Sequence, residues 1–263
     1  MAVIDAHAHI YPDKIAPKAV EAVGDFYNVD MFGDGTADGL LAAKDRAPIT
    51  HFIVHSVATT AHAVTAINDF IAKQCQAHPE FIGFAAMQQD FEDPAAELQR
   101  AVELGLRGVK LHPDTQKVNM DDDRLMRIYE LIEGRMPLVM HCGDYRTDFS
   151  HPRRMKRILH EFPNLVVDAA HFGGWSVFDL AVEYLENENC FLDMSSSQKF
   201  LGRRRTRELC EIYGADRILF GSDFPMWDPS EEFEMFESLD FPKADFEKMT
   251  WRNAERFIGM DIR

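Results

Sequence analysis

The chain has 263 residues, 46% of them apolar, and its 44 acidic against 28 basic side chains give a formal net charge of -16. That balance excludes a nucleic-acid binder or a protein held on an anionic membrane, both of which need a basic face to collect phosphates. No basic leader with an apolar stretch opens the sequence and no apolar run reaches membrane-spanning length, so the expectation is an unexported, cytoplasmic protein.

The length allows one large core, and α/β barrels often fill it with a single domain, so one domain over residues 1–263 is expected. Cys75, Cys142, Cys190 and Cys210 lie far apart with no Cys-x-x-Cys pair. They read as reduced thiols, small buried side chains and not a disulfide framework.

Eight short runs rich in Val, Ile, Leu and Phe read as buried parallel strands: Val3 to His7, Phe52 to Val57, Phe81 to Met87, Gly108 to His112, Leu138 to His141, Leu165 to His171, Cys190 to Met194 and Ile218 to Ser222. Helix-period segments lie between them at Ala61 to Ala77, Pro94 to Leu104, Asp121 to Ile132, Pro152 to Phe162, Ser176 to Glu186 and Arg203 to Tyr213, with a last one from Ala244 to Ile258. Asp93-Pro94 marks a helix start, and Gly105 and Gly214 mark ends. The acidic tract from Asp228 to Asp240, with Phe233, Met235, Phe236 and Leu239 interspersed, reads as a helix with a buried stripe.

From Phe81 onward the strand starts recur every 25 to 30 residues, the length of one strand, one crossover helix and two short loops. Eight such units predict an α/β chain closed as a (β/α)8 TIM barrel. A doubly wound open sheet is the competitor, but no Gly-x-Gly-x-x-Gly turn follows any strand. Residues 10–50 break the spacing, with weak helical pattern at Ala16 to Val23 and Leu40 to Arg46. They form an insertion after strand one on the rim where a lid would sit, or an irregular surface excursion.

In such a barrel the residues that close the strands face the mouth. Strand one ends Asp5-Ala6-His7-Ala8-His9, strand five in His141, strand six in His171, and strand eight leads through Gly221-Ser222 into Asp223. Residues i and i+2 share a face of a strand, so His7 and His9 can offer two imidazoles to one ion. Barrel closure brings His141, His171 and Asp223 beside them, a nitrogen-rich set that suits zinc or another borderline divalent metal better than magnesium or calcium.

Taken together, His7-x-His9, His141-Cys142, Ala170-His171-Phe172-Gly173-Gly174, Gly221-Ser222-Asp223-Phe224-Pro225 and Asn253-Ala254-Glu255-Arg256-Phe257 resemble the amidohydrolase superfamily over nearly the whole chain. They are most similar to its amidohydrolase-related branch, which includes aminocarboxymuconate-semialdehyde decarboxylase. The resemblance implies a divalent metal, zinc first and manganese second, held by His7, His9, His141 and Asp223. It further implies His171 beside it as general base, or as a further ligand. A metal-activated water then makes hydrolysis of a small carboxylate-bearing amide, ester or lactone the first reading of function. Non-oxidative decarboxylation of an aromatic or unsaturated acid is the second. A barrel that has lost catalysis and only binds a small molecule is the reading from another class. Barrels of this kind pair, so a homodimer is the expected assembly.

Around that centre, Lys110 and His112 share a face of strand four. Lys110 is a carboxylated bridge between two metals, a plain cation for a substrate carboxylate, or the partner of Asp114, and either Lys110 or His112 can reach the mouth. Tyr145 and Arg146 follow strand five, where the arginine can grip a carboxylate or form a surface salt bridge. Trp175 and Trp227 read as pocket walls or ordinary packing. Asp5 is placed to orient a ligand histidine through its second nitrogen. Arg203-Arg204-Arg205 reads as a solvated helix start, and His51, His55, His62, His78, His151 and His160 as structural or surface residues, His151 being near enough to the strand-five loop to approach the mouth.

Overall fold

The computed structural model describes residues 2–262. Eight strands occur in the predicted order: β1 (Ile4–His9), β2 (His51–His55), β3 (Phe81–Ala86), β4 (Gly108–Leu111), β5 (Leu138–Met140), β6 (Val167–Ala169), β7 (Leu192–Asp193) and β8 (Ile218–Leu219). Strands β1 to β6 form one parallel sheet in sequence order and β7 pairs with β8. Backbone bonds close the circle. Ala169 and Phe172 donate to Phe191 and Asp193, joining β6 to β7, while Ala6 and His9 donate to Phe220 and Phe224, joining β8 to β1.

The helices are α1 (Ala16–Tyr27), α2 (Ala37–Leu41), α3 (Val64–Ala77), α4 (Pro94–Glu103), α5 (Pro113–Gln116), α6 (Asp123–Ile132), α7 (Pro152–Glu161), α8 (Phe178–Leu185), α9 (Gln198–Tyr213), α10 (Pro229–Glu237), α11 (Lys243–Glu247) and α12 (Asn253–Ile258). Their starts follow local chemistry: Asp93, Asp122 and Asp228 each accept a backbone N–H at the head of α4, α6 and α10. Gly202 (φ +67°) breaks α9, so the regular helix begins at Arg203 as the sequence reading has it. The single helix expected from Ala244 to Ile258 is α11 and α12 joined by a π-helical turn at Lys248–Arg252.

Two apolar layers hold the barrel. Strand residues such as Phe52, Val54, Val109, Leu111 and Leu138 pack outward on the helices. Ile4, Ile53, Ile82, Phe84, Val139 and Leu219 pack with Phe257 and Ile258 of α12, which caps the end opposite the mouth. Phe233, Phe236 and Leu239 are buried along and just beyond α10. All four cysteines are free, with Cys142, Cys190 and Cys210 buried. Among the described residues no helix is long and apolar enough to cross a membrane.

Candidate metal centre

At the strand ends, three of the expected ligands converge. Asp223 Oδ1 lies 3.6 Å from His7 Nε2 and 3.4 Å from His9 Nε2. His171 stands on the other side of His7, its ring centroid 5.0 Å away. His171 (φ +60°), Ser196 (φ +50°) and Asp223 (φ +64°) adopt the left-handed backbone that non-glycine residues avoid. Three such residues around one cluster are the kind of local strain that a folded scaffold holds at a functional site.

The fourth expected ligand, His141, stacks on His112 at 3.9 Å between ring centroids and lies with Asp114. Its Nδ1 is 3.0 Å from His171 Nε2, so His171 links it to the His7 cluster. Gly143 brings the loop after β5 against that after β6. At φ +83°, a Cβ there would come within 2.5 Å of the Gly174 carbonyl carbon, so only glycine fits.

Burial and the charge of Lys110 push His7 down to about 4, and burial likewise lowers His9, His55, His112 and His141. These rings are therefore neutral at pH 7, the form that binds a metal. Burial opposes ionisation of Asp223, but the hydrogen bond to His9 and the neighbouring His7 and His171 outweigh it and hold the carboxyl well below its ordinary range. Burial also pulls the Lys110 ammonium down to about 8. Lys110 Nζ is 2.9 Å from His7 Nε2.

Beneath the cluster, His7 Nδ1 meets Asp193 Oδ2 at 2.7 Å. The other oxygen of Asp193 accepts from the backbone N–H of His171 and from Ser195. Burial works against the Asp193 charge, but His7 outweighs it. Asp168, just below, is raised well above the carboxylate range by burial and by Asp193. His171 Nδ1 faces the Ser195 carbonyl oxygen at 3.0 Å, which fixes the proton on that nitrogen and leaves Nε2 as the acceptor.

Asp5 does not orient a ligand histidine. Its carboxyl is bound by Ser222 and by the backbone N–H of His7, and burial pushes it up to about 7. The register shift between Asp5 and Ala8 in β1 accompanies that arrangement, and the role expected for Asp5 belongs to Asp193. Asp193 closes β7 in the way the other site residues close theirs, which is the signal that would have found it. His55 closes β2 by the same rule, is fully buried, and lies 4.5 and 4.8 Å from His9 and His7 between ring centroids. Neither of its ring nitrogens, nor Nδ1 of His9, has a hydrogen-bond partner among the described residues. Unpartnered imidazole nitrogens beside a carboxylate form a donor set that fits a divalent ion.

A cavity of about 580 Å³ opens over the cluster, and His7, His9, Lys110, His112, His141, His171, Trp175 and Asp223 all line it. Helices α1 and α3 contribute to its wall, and Tyr27 Oη, at the end of α1, bonds His112 Nε2 at 2.7 Å. Tyr145 and Arg146 do not line it. Tyr145 is 72% exposed, and Arg146 pairs with both oxygens of Asp144, donates to the Phe26 carbonyl and lies over the Phe26 ring. Trp227 donates to Ser196, and His151 caps α7.

The amidohydrolase family model matches residues 4–260. Gamma-resorcylate decarboxylase of Polaromonas sp. (strain JS666 / ATCC BAA-500) is 26% identical, over 74% of this chain and 75% of that one. The 2-amino-3-carboxymuconate-6-semialdehyde decarboxylase of Dictyostelium discoideum is 24% identical, over 74% and 66%. A dihydroxybenzoic acid decarboxylase of Polaromonas sp. JS666, solved with bound manganese and the inhibitor 2-nitroresorcinol, superposes with a TM-score of 0.73 at 20% identity, covering 98% of this chain and 97% of that one. A barrel closed around a histidine-rich cluster, matched from its first strand to its last helix, makes this chain a member of the amidohydrolase family of metal-dependent enzymes.

Proposed function

We propose that the chain is a metal-dependent, non-oxidative decarboxylase of an aromatic or unsaturated carboxylic acid, acting as one domain with residues 10–50 as its lid. The observation that carries this reading is the meeting of His7, His9 and Asp223 at the floor of the cavity, in a chain whose curated relatives are decarboxylases. Hydrolysis, which the residues alone favour, stands second because those relatives point away from it.

His7, His9 and Asp223 would hold the ion, with His141 as the fourth ligand, and a divalent cation there would polarise oxygens of the bound acid. Two nitrogens with a carboxylate suit zinc, and the manganese bound in the structurally similar decarboxylase makes manganese the competing occupant. Lys110 is the cation inside the cavity that neutralises the substrate carboxylate. His112 and Trp175 form the wall beside it.

Loss of CO₂ requires that the carbon bearing the carboxylate gain a proton. The C–C bond then breaks, its electron pair returns to the unsaturated system, and CO₂ departs. His171 and Asp223 flank His7 and move that proton, with His171 Nε2, which also meets His141 Nδ1 at 3.0 Å, as the nitrogen that takes it up and delivers it.

The test is to supply the manganese- or zinc-loaded protein with 2,6-dihydroxybenzoate and related acids, and in parallel with lactones and amides. CO₂ release from an acid supports the proposal. Turnover of lactones or amides with no CO₂ from any acid would overturn it in favour of hydrolysis.

A further inference from the structure

The cavity is larger than one ring needs. An apolar void of about 150 Å³ is enough to hold benzene, and this one measures about 580 Å³. The polar atoms of its wall come mainly from strand ends, whereas two helices supply much of the apolar part, with Met31, Val57, Trp175 and Met226 adding to it. On α1, Ala19, Val23 and Phe26 recur at helical spacing and face the cavity, and Ala16 is the only buried residue of that helix. Helix α3 buries one face, including Val64, Ile71 and Ala72, yet turns a second stripe, Ala66, Ile67 and Phe70, to the same cavity.

Barrel helices ordinarily place their apolar stripe on the strands. Here α1 has its stripe over open space, and α3 adds a second, partly buried stripe whose Ile67 and Phe70 touch the core and also line the cavity. Apolar walls with a few convergent polar groups are the mark of a small-molecule site.

We infer that the acid taken by this enzyme carries a second, ring-sized apolar group on the side away from its carboxylate, and that this group lies between α1 and α3. The inference rests on the decarboxylase reading for the position of the carboxylate and goes beyond it in naming the rest of the substrate.

The manganese-loaded full chain is titrated calorimetrically with 2-hydroxybenzoate and with its 4-phenyl and 5-phenyl derivatives, and CO₂ release is followed from each. One phenyl derivative should bind about tenfold or more tightly than the parent, since a second ring leaves water for an apolar wall. Ala66→Phe and, independently, Val23→Phe fill the chamber and should bring that ratio close to one. Equal affinity for parent and derivatives in the wild type overturns the inference even if CO₂ is released. So does a preference that survives both substitutions. A preference that collapses in the variants while no acid releases CO₂ supports the chamber and sinks the decarboxylase reading alone.

Discussion

Asp193 Oδ2 lies 2.7 Å from His7 Nδ1 in a fully buried pair that ties the end of β7 to the end of β1, 186 residues away in the chain. A carboxylate on the far nitrogen fixes the proton there, turns Nε2 toward the site and raises its basicity as a ligand. Asp193→Asn should therefore lower the affinity for zinc or manganese by about 10- to 100-fold, read by competition against a chelator. An unchanged affinity would make the pair a matter of packing only.

Metal content is the most direct check of the centre. The purified chain should hold about one equivalent of zinc or manganese, and the His7→Ala/His9→Ala variant should hold none, because two of the proposed ligand nitrogens are gone. Two equivalents in the wild type would bring Lys110 in as a carboxylated bridge.

Lys110 separates those arrangements by a second route. As the counter-ion of the substrate carboxylate, its replacement in Lys110→Gln should cost about 10²-fold in kcat/KM while the bound metal stays at the wild-type level. Simultaneous loss of activity and metal would point to the carboxylated bridge.

Arg146 pins α1. It is held by Asp144, donates to the Phe26 carbonyl and lies over the Phe26 and Tyr27 rings. Arg146→Ala should speed amide exchange across residues 16–27 by about tenfold and weaken substrate binding without loss of metal. Exchange that is unchanged there would return Arg146 to the role of a substrate ligand.

Glu232, buried on α10, offers a pH test away from the centre. Burial pushes its carboxyl up to about 7 from the ordinary 4.5, although Gln198 donates to it. The folded chain thus holds this proton more tightly than the unfolded one. Stability from this group is fully present below pH 4.5 and is lost as the pH rises through about 7. Glu232→Gln removes the buried charge, so urea melts at pH 8 should favour the variant by on the order of 2 kcal/mol, with the gap closing toward pH 5. A gap independent of pH would show that the carboxyl ionises freely in the fold.

Local pattern carried most of the architecture. Continuous apolar runs bounded by Gly, Pro and polar residues marked all eight strands, and the helix start read at Asp93-Pro94 fell where the Asp93 side chain does accept a backbone N–H. The strand-end rule brought out His7, His9 and Asp223, because a β-strand alternates its side chains and a barrel turns every strand end to one mouth. The folded β2 and β7 end at His55 and Asp193, whereas the sequence pattern carries those strands on to Val57 and Met194, so the rule passed over both residues.

Which partner each side chain takes was decided only by closure. Asp5 and Asp193 are both acids near His7, yet a register shift in β1 gives Asp5 to Ser222 and leaves the imidazole to a residue 186 positions away. Arg146 has the chemistry to hold a substrate carboxylate, but Asp144 and Phe26 take it first. Sequence by itself determined the elements, their order and the end of the barrel that carries chemistry, since propensity and periodicity are local. The hydrogen-bond partners and the apolar chamber between α1 and α3 belong to the tertiary structure, because they depend on distances between segments that no local pattern encodes.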